Sequence, residues 1–352
     1  MDNAGTVTDL GVTVELSDPD PEPIRDAIQE LPGAGTVTVT VHTDTGVSGS
    51  GTVFFGRIEG GPETLETLVN RELRPLVVGS DPVDVRQIRD SLLATVDYQG
   101  GRGLSMFGIA AIDTALWDCL GRVNQVPCWQ LWGGACERIP AYAMVGWLNH
   151  SPETVADRCR EAVDQGFSGV KIKVGAETRA EDRRRVEAAR EAVGTDVDLM
   201  VDANQALSKA EAVRRARIFE EYGVEWYEEP LSADAVDDYA TLIDQVDIPV
   251  ATGENLSSPA EFSRFLHRDA VDIVQPDLRR IGGPTALLTV GTMADAFGRQ
   301  YASHGGGAVE ANVLGCLANT RYFETGLLDD DSPFELVDGC IDRPSGPGFA
   351  WE

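Results

Sequence analysis

Hydrophobic and polar positions divide the chain into two stretches of different rhythm. Over residues 6–15, 36–42 and 47–55 they alternate with period two, the pattern of half-buried strands, and Asp44-Thr45-Gly46 supplies a turn between the last two. Helical periodicity follows at residues 62–69, 83–94 and 105–122. These runs predict an α+β domain over residues 1–125 built on an antiparallel meander. Between its first two strands, residues 17–35 are rich in Pro and Asp with one short helical stretch, which reads as a mobile flap.

From about Ile139 short apolar runs alternate with charged helical patterns. The runs fall at residues 141–145, 169–174, 199–203, 225–229, 249–253, 273–276 and 301–303. A helix fits between each pair, for example residues 152–165, ended by Gly166 at the expected C-terminal position. Alternating βα units make a parallel sheet, and seven or eight in succession close into a barrel with its active site at the C-terminal strand ends. The barrel is placed at residues 126–330. The tail, residues 331–352, contains Pro344-Ser-Gly-Pro-Gly348 and is expected to leave the barrel and pack back on the N-terminal domain.

The 352 residues suffice to bury a large core, and a hydrophobic content of 42% argues against disorder. Asp plus Glu number 58 against 29 Lys plus Arg, a net charge of −29 that excludes nucleic-acid binding by phosphate neutralisation and docking on anionic membrane. Only three of the 29 cations are lysines: Lys171, Lys173 and Lys209. A carboxylate-rich, lysine-poor surface suits molar salt, which screens the self-repulsion, so a halophilic source is expected and most acids are background. Neither a secretory leader nor an 18-residue apolar run is evident, and a cytoplasmic location is expected. Six scattered cysteines without a Cys-x-x-Cys read as reduced and mostly buried, and no histidine clusters with them to make a zinc site.

Against that background, the residues that end the apolar runs stand out. Asp202, Glu228 and Glu254 are spaced 26 and 26 residues apart, one βα unit each time, so three neighbouring strands would point an acid into one mouth. Three converging carboxylates in a water-poor cleft require a cation, and a few oxygens with open positions suit Mg²⁺. Glu229, next to Glu228, is an alternative ligand. One strand earlier, Lys171 and Lys173 share a strand face about 6.6 Å apart. At that distance they repel by roughly 2.5 kcal/mol, which should bring one ammonium down by about two pKa units towards a general base. Asp277 and His304 lie 27 residues apart, again one unit, as a carboxylate–imidazole pair for a second acid or base. The three glycines after His304 could form an oxyanion loop, but no Gly-x-Ser-x-Gly elbow accompanies them. His150 and His267 are expected to be structural.

Taken together, Lys171-x-Lys173, Asp202-x-Asn204, Glu228-Glu-Pro, Gly253-Glu254, Asp277 followed by Ile281-Gly-Gly, and His304 resemble the enolase superfamily, in its mandelate racemase subgroup. The resemblance extends to residues 111–118 and 131–134 and so covers nearly the whole chain. It implies an α+β capping domain on a modified (β/α)₇β barrel, Mg²⁺ held by Asp202, Glu228 and Glu254, and Lys173 as one base with Lys171 as its electrostatic partner. It also implies the His304–Asp277 dyad as the other base, Asn204 at the substrate, and Glu324, or alternatively Glu310, as the acid facing the substrate carboxylate. Relatives that place a second lysine on a later strand are excluded, because no lysine follows Lys209.

The resemblance implies abstraction of the α-proton of a small carboxylate through an enediolate. Dehydration of an acid sugar to a 2-keto-3-deoxy acid is the favoured outcome, and racemisation of a 2-hydroxy acid is the alternative. A homo-oligomer is expected. A catalytically silent binding barrel is the reading from a different class, and saturable Mg²⁺ binding in high salt would separate the two.

Overall fold

The computed structural model describes residues 4–351. Strands β1 (Val7–Leu16), β4 (Gly35–Thr43) and β5 (Ser48–Phe55) form the antiparallel sheet in the order β1-β4-β5. Alternation puts Val37, Val39 and Val41 of β4 in the core. The helix Leu104–Asn124 packs on this sheet, and Gly49 and Gly51 of β5 allow it. A Cβ at Gly49 would lie 2.2 Å from Cys119 N, and one at Gly51 would lie 2.1 Å from Ala111 O. This helix is long and apolar enough to cross a membrane, but its apolar window is 83% buried inside the protein.

The segment between β1 and β4 contains no helix. It forms the two-residue strands β2 (Ile24–Arg25) and β3 (Glu30–Leu31), which pair antiparallel. The reason is local: the Asp26 carboxylate accepts hydrogen bonds from the backbone N–H groups of Ile28 and Gln29 and closes a turn instead of a helical repeat. The Arg25 carbonyl then accepts from Leu148 N–H, at the end of the first barrel strand.

Eight parallel strands follow: β6 (Arg138–Gly146), β7 (Gly169–Lys173), β8 (Asp198–Asp202), β9 (Tyr227–Glu228), β10 (Val250–Thr252), β11 (Ile273–Val274), β12 (Gln300–Ala302) and β13 (Thr320–Thr325). They pair in chain order, and β13 closes on β6. The last strand completes the expected (β/α)₇β barrel, although residues 321–325 show no strand rhythm in the sequence. Arg321 and Glu324 interrupt it because both make buried or half-buried ion pairs inside the barrel, Arg321 with Asp198 and Glu225 and Glu324 with Lys171. Tyr142, Met200, Trp226, Ala251, Ile273, Ala302 and Tyr322 fill the barrel interior as one cluster. Tyr142 meets Trp226 and Tyr322 edge-on, with ring centroids 5.5 and 5.7 Å apart. The interior beneath the strand ends is therefore packed.

The tail runs antiparallel to the start of β6 as β14 (Cys340–Asp342), then reaches the long helix of the N-terminal domain, where Asp118 accepts from Phe349 N–H. The two domains also meet at Asp113, whose carboxylate accepts from the N–H and hydroxyl of Thr285. All six cysteines are free; Cys119, Cys128 and Cys159 are buried, and the other three are partly exposed.

Candidate active site

The ends of β8, β9 and β10 bring Asp202, Glu228 and Glu254 together, each buried and each offering an oxygen within 4.8 Å of the others. Glu229 points elsewhere. It follows β9 with a positive φ of 39°, and its carboxylate accepts from Asn255 instead. Burial and the neighbouring Glu254, Asp202 and Glu228 hold its pKa well above the usual carboxylate range. The cluster fits a hard divalent cation on its donor set: three buried carboxylates, with the buried Oδ1 of Asn204 hydrogen-bonded to no described residue. Asn204 directs its backbone N–H to Asp202 Oδ1, 2.8 Å away.

Both lysines of β7 turn inward, and carboxylates outweigh their mutual repulsion. Lys171 Nζ donates to Glu228 at 2.8 and 2.9 Å and to Glu324 at 2.5 Å. Lys173 Nζ donates to Asp202 Oδ2 at 2.5 Å and faces the Trp147 ring, 5.2 Å from its centroid. Burial works against both ammonium groups. Glu228 and Glu324 outweigh it at Lys171, and Asp202 outweighs it at Lys173, so both pKa values are raised. The lowered lysine pKa expected from mutual repulsion is thus overturned, because the sequence shows the like charges without the three carboxylates the fold inserts.

His304 lies three strands round the ring from Lys173, by way of β13 and β6. Its Nε2 is 2.8 Å from Glu254 Oε2 and its Nδ1 is 2.9 Å from Asp277 Oδ2. A parallel bridge between Asp277 and His304 aligns the two strand ends. Burial disfavours the imidazolium, but Glu254 and Asp277 outweigh it and raise its pKa well above the ordinary value. Asp277 also caps the short helix Leu278–Ile281 through the N–H groups of Arg279 and Arg280, and pairs with the Arg279 guanidinium at 2.5 Å. Against burial, Arg279 and His304 hold Asp277 well below the usual carboxylate range.

Glu324 stands inside this network, hydrogen-bonded to Lys171, to the Tyr142 hydroxyl and to Gly305 N–H. Against burial, Lys171 and His304 lower its pKa to about 2. Glu310 is half-buried, and burial raises its pKa to about 7. His267 bonds within its own helix, to Ser263 O. Sequence reasoning passed over Arg279, Tyr142 and Trp147. Arg279, two residues after Asp277, was within reach of it; Tyr142 gave no signal without the closure of β13 on β6, nor Trp147 without the pairing of β6 with β7.

The chain matches the family "Enolase C-terminal domain-like" over residues 154–352, and the mandelate racemase/muconate lactonizing enzyme N-terminal domain over residues 11–133. An arabinonate dehydratase of Saccharolobus solfataricus is 30% identical over 302 residues, 82% of this chain and 81% of that protein. A racemase of Streptomyces coelicolor, solved with bound magnesium, superposes with a TM-score of 0.91 at 28% identity, covering 97% of this chain and 96% of the other. An L-talarate dehydratase of Polaromonas sp., solved with Mg and L-glucarate, gives 0.89 at 29% identity over 99% and 95% of the two chains. Domain matches on both sides of the barrel boundary and full-length superposition agree with the strand-end constellation: this chain belongs to the mandelate racemase/muconate lactonizing enzyme family of the enolase superfamily.

Proposed function

We propose that the protein is a Mg²⁺-dependent lyase that abstracts the α-proton of an acid sugar and expels its β-hydroxyl to give a 2-keto-3-deoxy acid. One observation carries this reading: two proton-transfer groups, Lys173 and His304, flank the same three-carboxylate cluster from separate strands, one against Asp202 and the other against Glu254. Bound to Asp202, Glu228 and Glu254, Mg²⁺ supplies positive charge for the substrate carboxylate as it gains electron density. The protein side chains do the rest. Lys173, released from Asp202 and so able to shed its proton, takes the α-proton as a neutral amine. Lys171 adds a fixed positive charge, and Glu324, protonated as the negative charge of the substrate carboxylate approaches, donates a hydrogen bond to it. His304, positioned by Asp277, gives its proton to the departing hydroxyl, which leaves as water, and the enol so formed becomes the keto acid.

The alternative is racemisation, in which His304 returns the proton to the α-carbon on its own face. The names of the arabinonate and L-talarate dehydratases support dehydration, and that of the Streptomyces coelicolor protein supports racemisation. The lysine-poor charge of −29 supports an enzyme of a salt-rich cytoplasm, and we extend the reading to a homo-oligomer.

The test is a screen of sugar acids and 2-hydroxy acids with Mg²⁺ in molar KCl. Semicarbazide detects keto product, and polarimetry with deuterium exchange detects racemisation. Keto product from a sugar acid is the expected result. Racemisation without keto product would replace the lyase reading, and saturable Mg²⁺ binding without either reaction would leave a binding barrel.

A further inference from the structure

We propose that the side-chain amide of Gln275 binds a hydroxyl group of the substrate and so selects a polyhydroxylated acid over an aryl or alkyl one; this rests on the acid-sugar reading above. Gln275 is 1% exposed, and neither its Oε1 nor its Nε2 has a hydrogen-bond partner among the described residues. A buried primary amide unpaired at both ends is uncommon in folded proteins and points to a ligand or an ordered water.

Its position decides where that partner must be. Ile273, two residues earlier in β11, belongs to the interior cluster of the barrel with Ala251 and Ala302, whereas Val274 packs outward against the helices. Gln275, just past β11, continues the pairing through its N–H to Thr252 O. Period-two alternation therefore turns Gln275 inward, one layer nearer the mouth, and Asp277 of the dyad follows two residues on. The positions level with Gln275 on either side are small: Gly253, since Thr252 pairs with Val274, and Ala302 on β12, since Tyr301 pairs with Val274, so neither offers the amide a side-chain partner. The other half of the same interior is polar and satisfied. There Lys171, Glu228, Glu324, Tyr142 and Trp226 bond to one another.

The chemistry of the partner follows from the group. An amide offers donors and an acceptor side by side, and a hydroxyl is both acceptor and donor. A carboxylate would pair only with Nε2, and an aryl ring with neither end. A site built to pair a substrate hydroxyl rejects the analogue that lacks it far more strongly than an apolar pocket discriminates by size.

The experiment compares wild type with Gln275→Met, a substitution of similar volume, on the acid that wild type prefers and on analogues deoxygenated at one carbon at a time. For one analogue, wild type is expected to lose about 10²-fold or more in kcat/KM relative to the parent. In Q275M that preference should shrink to within a few-fold, with the loss on the parent acid carried by KM. Q275E, which keeps the size and the acceptor, is read on the same assay if Q275M does not fold. A variant that keeps the full preference and unchanged KM, and loses only thermal stability, would show that Gln275 holds an internal water, and only this inference would fail. A wild-type preference for an acid without hydroxyls would overturn the acid-sugar reading and this inference together.

Discussion

Arg279 of the barrel lies on Phe54 of the N-terminal sheet, its guanidinium carbon 4.6 Å from the ring centroid, with Nη1 3.3 Å from the Phe54 carbonyl. The same guanidinium reaches Asp277 Oδ2, the oxygen that His304 also engages. The dyad is thereby fastened to the capping domain. Arg279→Met should reduce His304-dependent turnover by roughly 10- to 100-fold, the worth of a hydrogen bond to a charged group. Arg279→Lys should rescue it poorly, because an ammonium lacks the planar fork. Exchange of the α-proton by Lys173, followed by NMR in D₂O, should change little; equal loss of exchange and turnover would show that Arg279 serves the whole site rather than the dyad.

His304→Asn removes the group assigned to the leaving hydroxyl while leaving Lys173 on Asp202. Turnover should fall by about 10²- to 10⁴-fold, the usual contribution of a general acid or base. Proton exchange at the α-carbon should persist for one epimer only. Normal turnover in this variant would remove the two-base assignment.

All three cluster carboxylates are already held by cations of the protein, Asp202 by Lys173, Glu228 by Lys171 and Glu254 by His304. Mg²⁺ must compete with these contacts. Lys173→Met should therefore bind Mg²⁺ several-fold more tightly than wild type in calorimetric titrations in molar KCl, although it turns over no substrate. Glu254→Gln should bind at least about tenfold more weakly, since a charged oxygen ligand is lost. Chelation should abolish activity reversibly. Equal affinity in K173M and wild type would mean that Lys173 does not hold Asp202 in solution.

Asp113, buried between the domains, has its pKa pushed up to about 6 by desolvation. The unfolded value is about 3.9, so between these pH values the folded protein binds more protons than the unfolded chain. Its contribution is fully present below about pH 4 and is lost as the pH rises through about 6, by up to about 3 kcal/mol. Asp113→Asn lacks this dependence and can still accept from Thr285 N–H. Denaturant titrations should show the variant gaining on wild type by that amount between pH 4 and pH 7. A pH-independent difference would show that the carboxyl ionises as readily folded as unfolded.

The eighth strand, Thr320–Thr325, escaped the sequence pattern for a physical reason. Its Arg321 spans to Asp198 and Glu225, and its Glu324 to Lys171, so a strand buried on both faces carries charges that ordinary strands expel to solvent. The N-terminal meander was legible because one of its faces is solvated and keeps the alternation. The turn at Asp26 was not, since a side-chain cap on Ile28 and Gln29 N–H leaves no periodicity to read.

Sequence alone determined which chemical groups stand at the strand ends, because a βα unit of nearly constant length repeats them at a constant interval. It thereby set three acids, two lysines and a carboxylate–imidazole pair at one mouth. The tertiary structure decided how those charges pair. A positive φ at Glu229 turns that acid out of the cluster, and closure of β13 on β6 brings Glu324 to Lys171. The cations of the site are therefore held charged by carboxylates from other strands, a balance of opposite charges across the barrel that spacing along one strand does not contain.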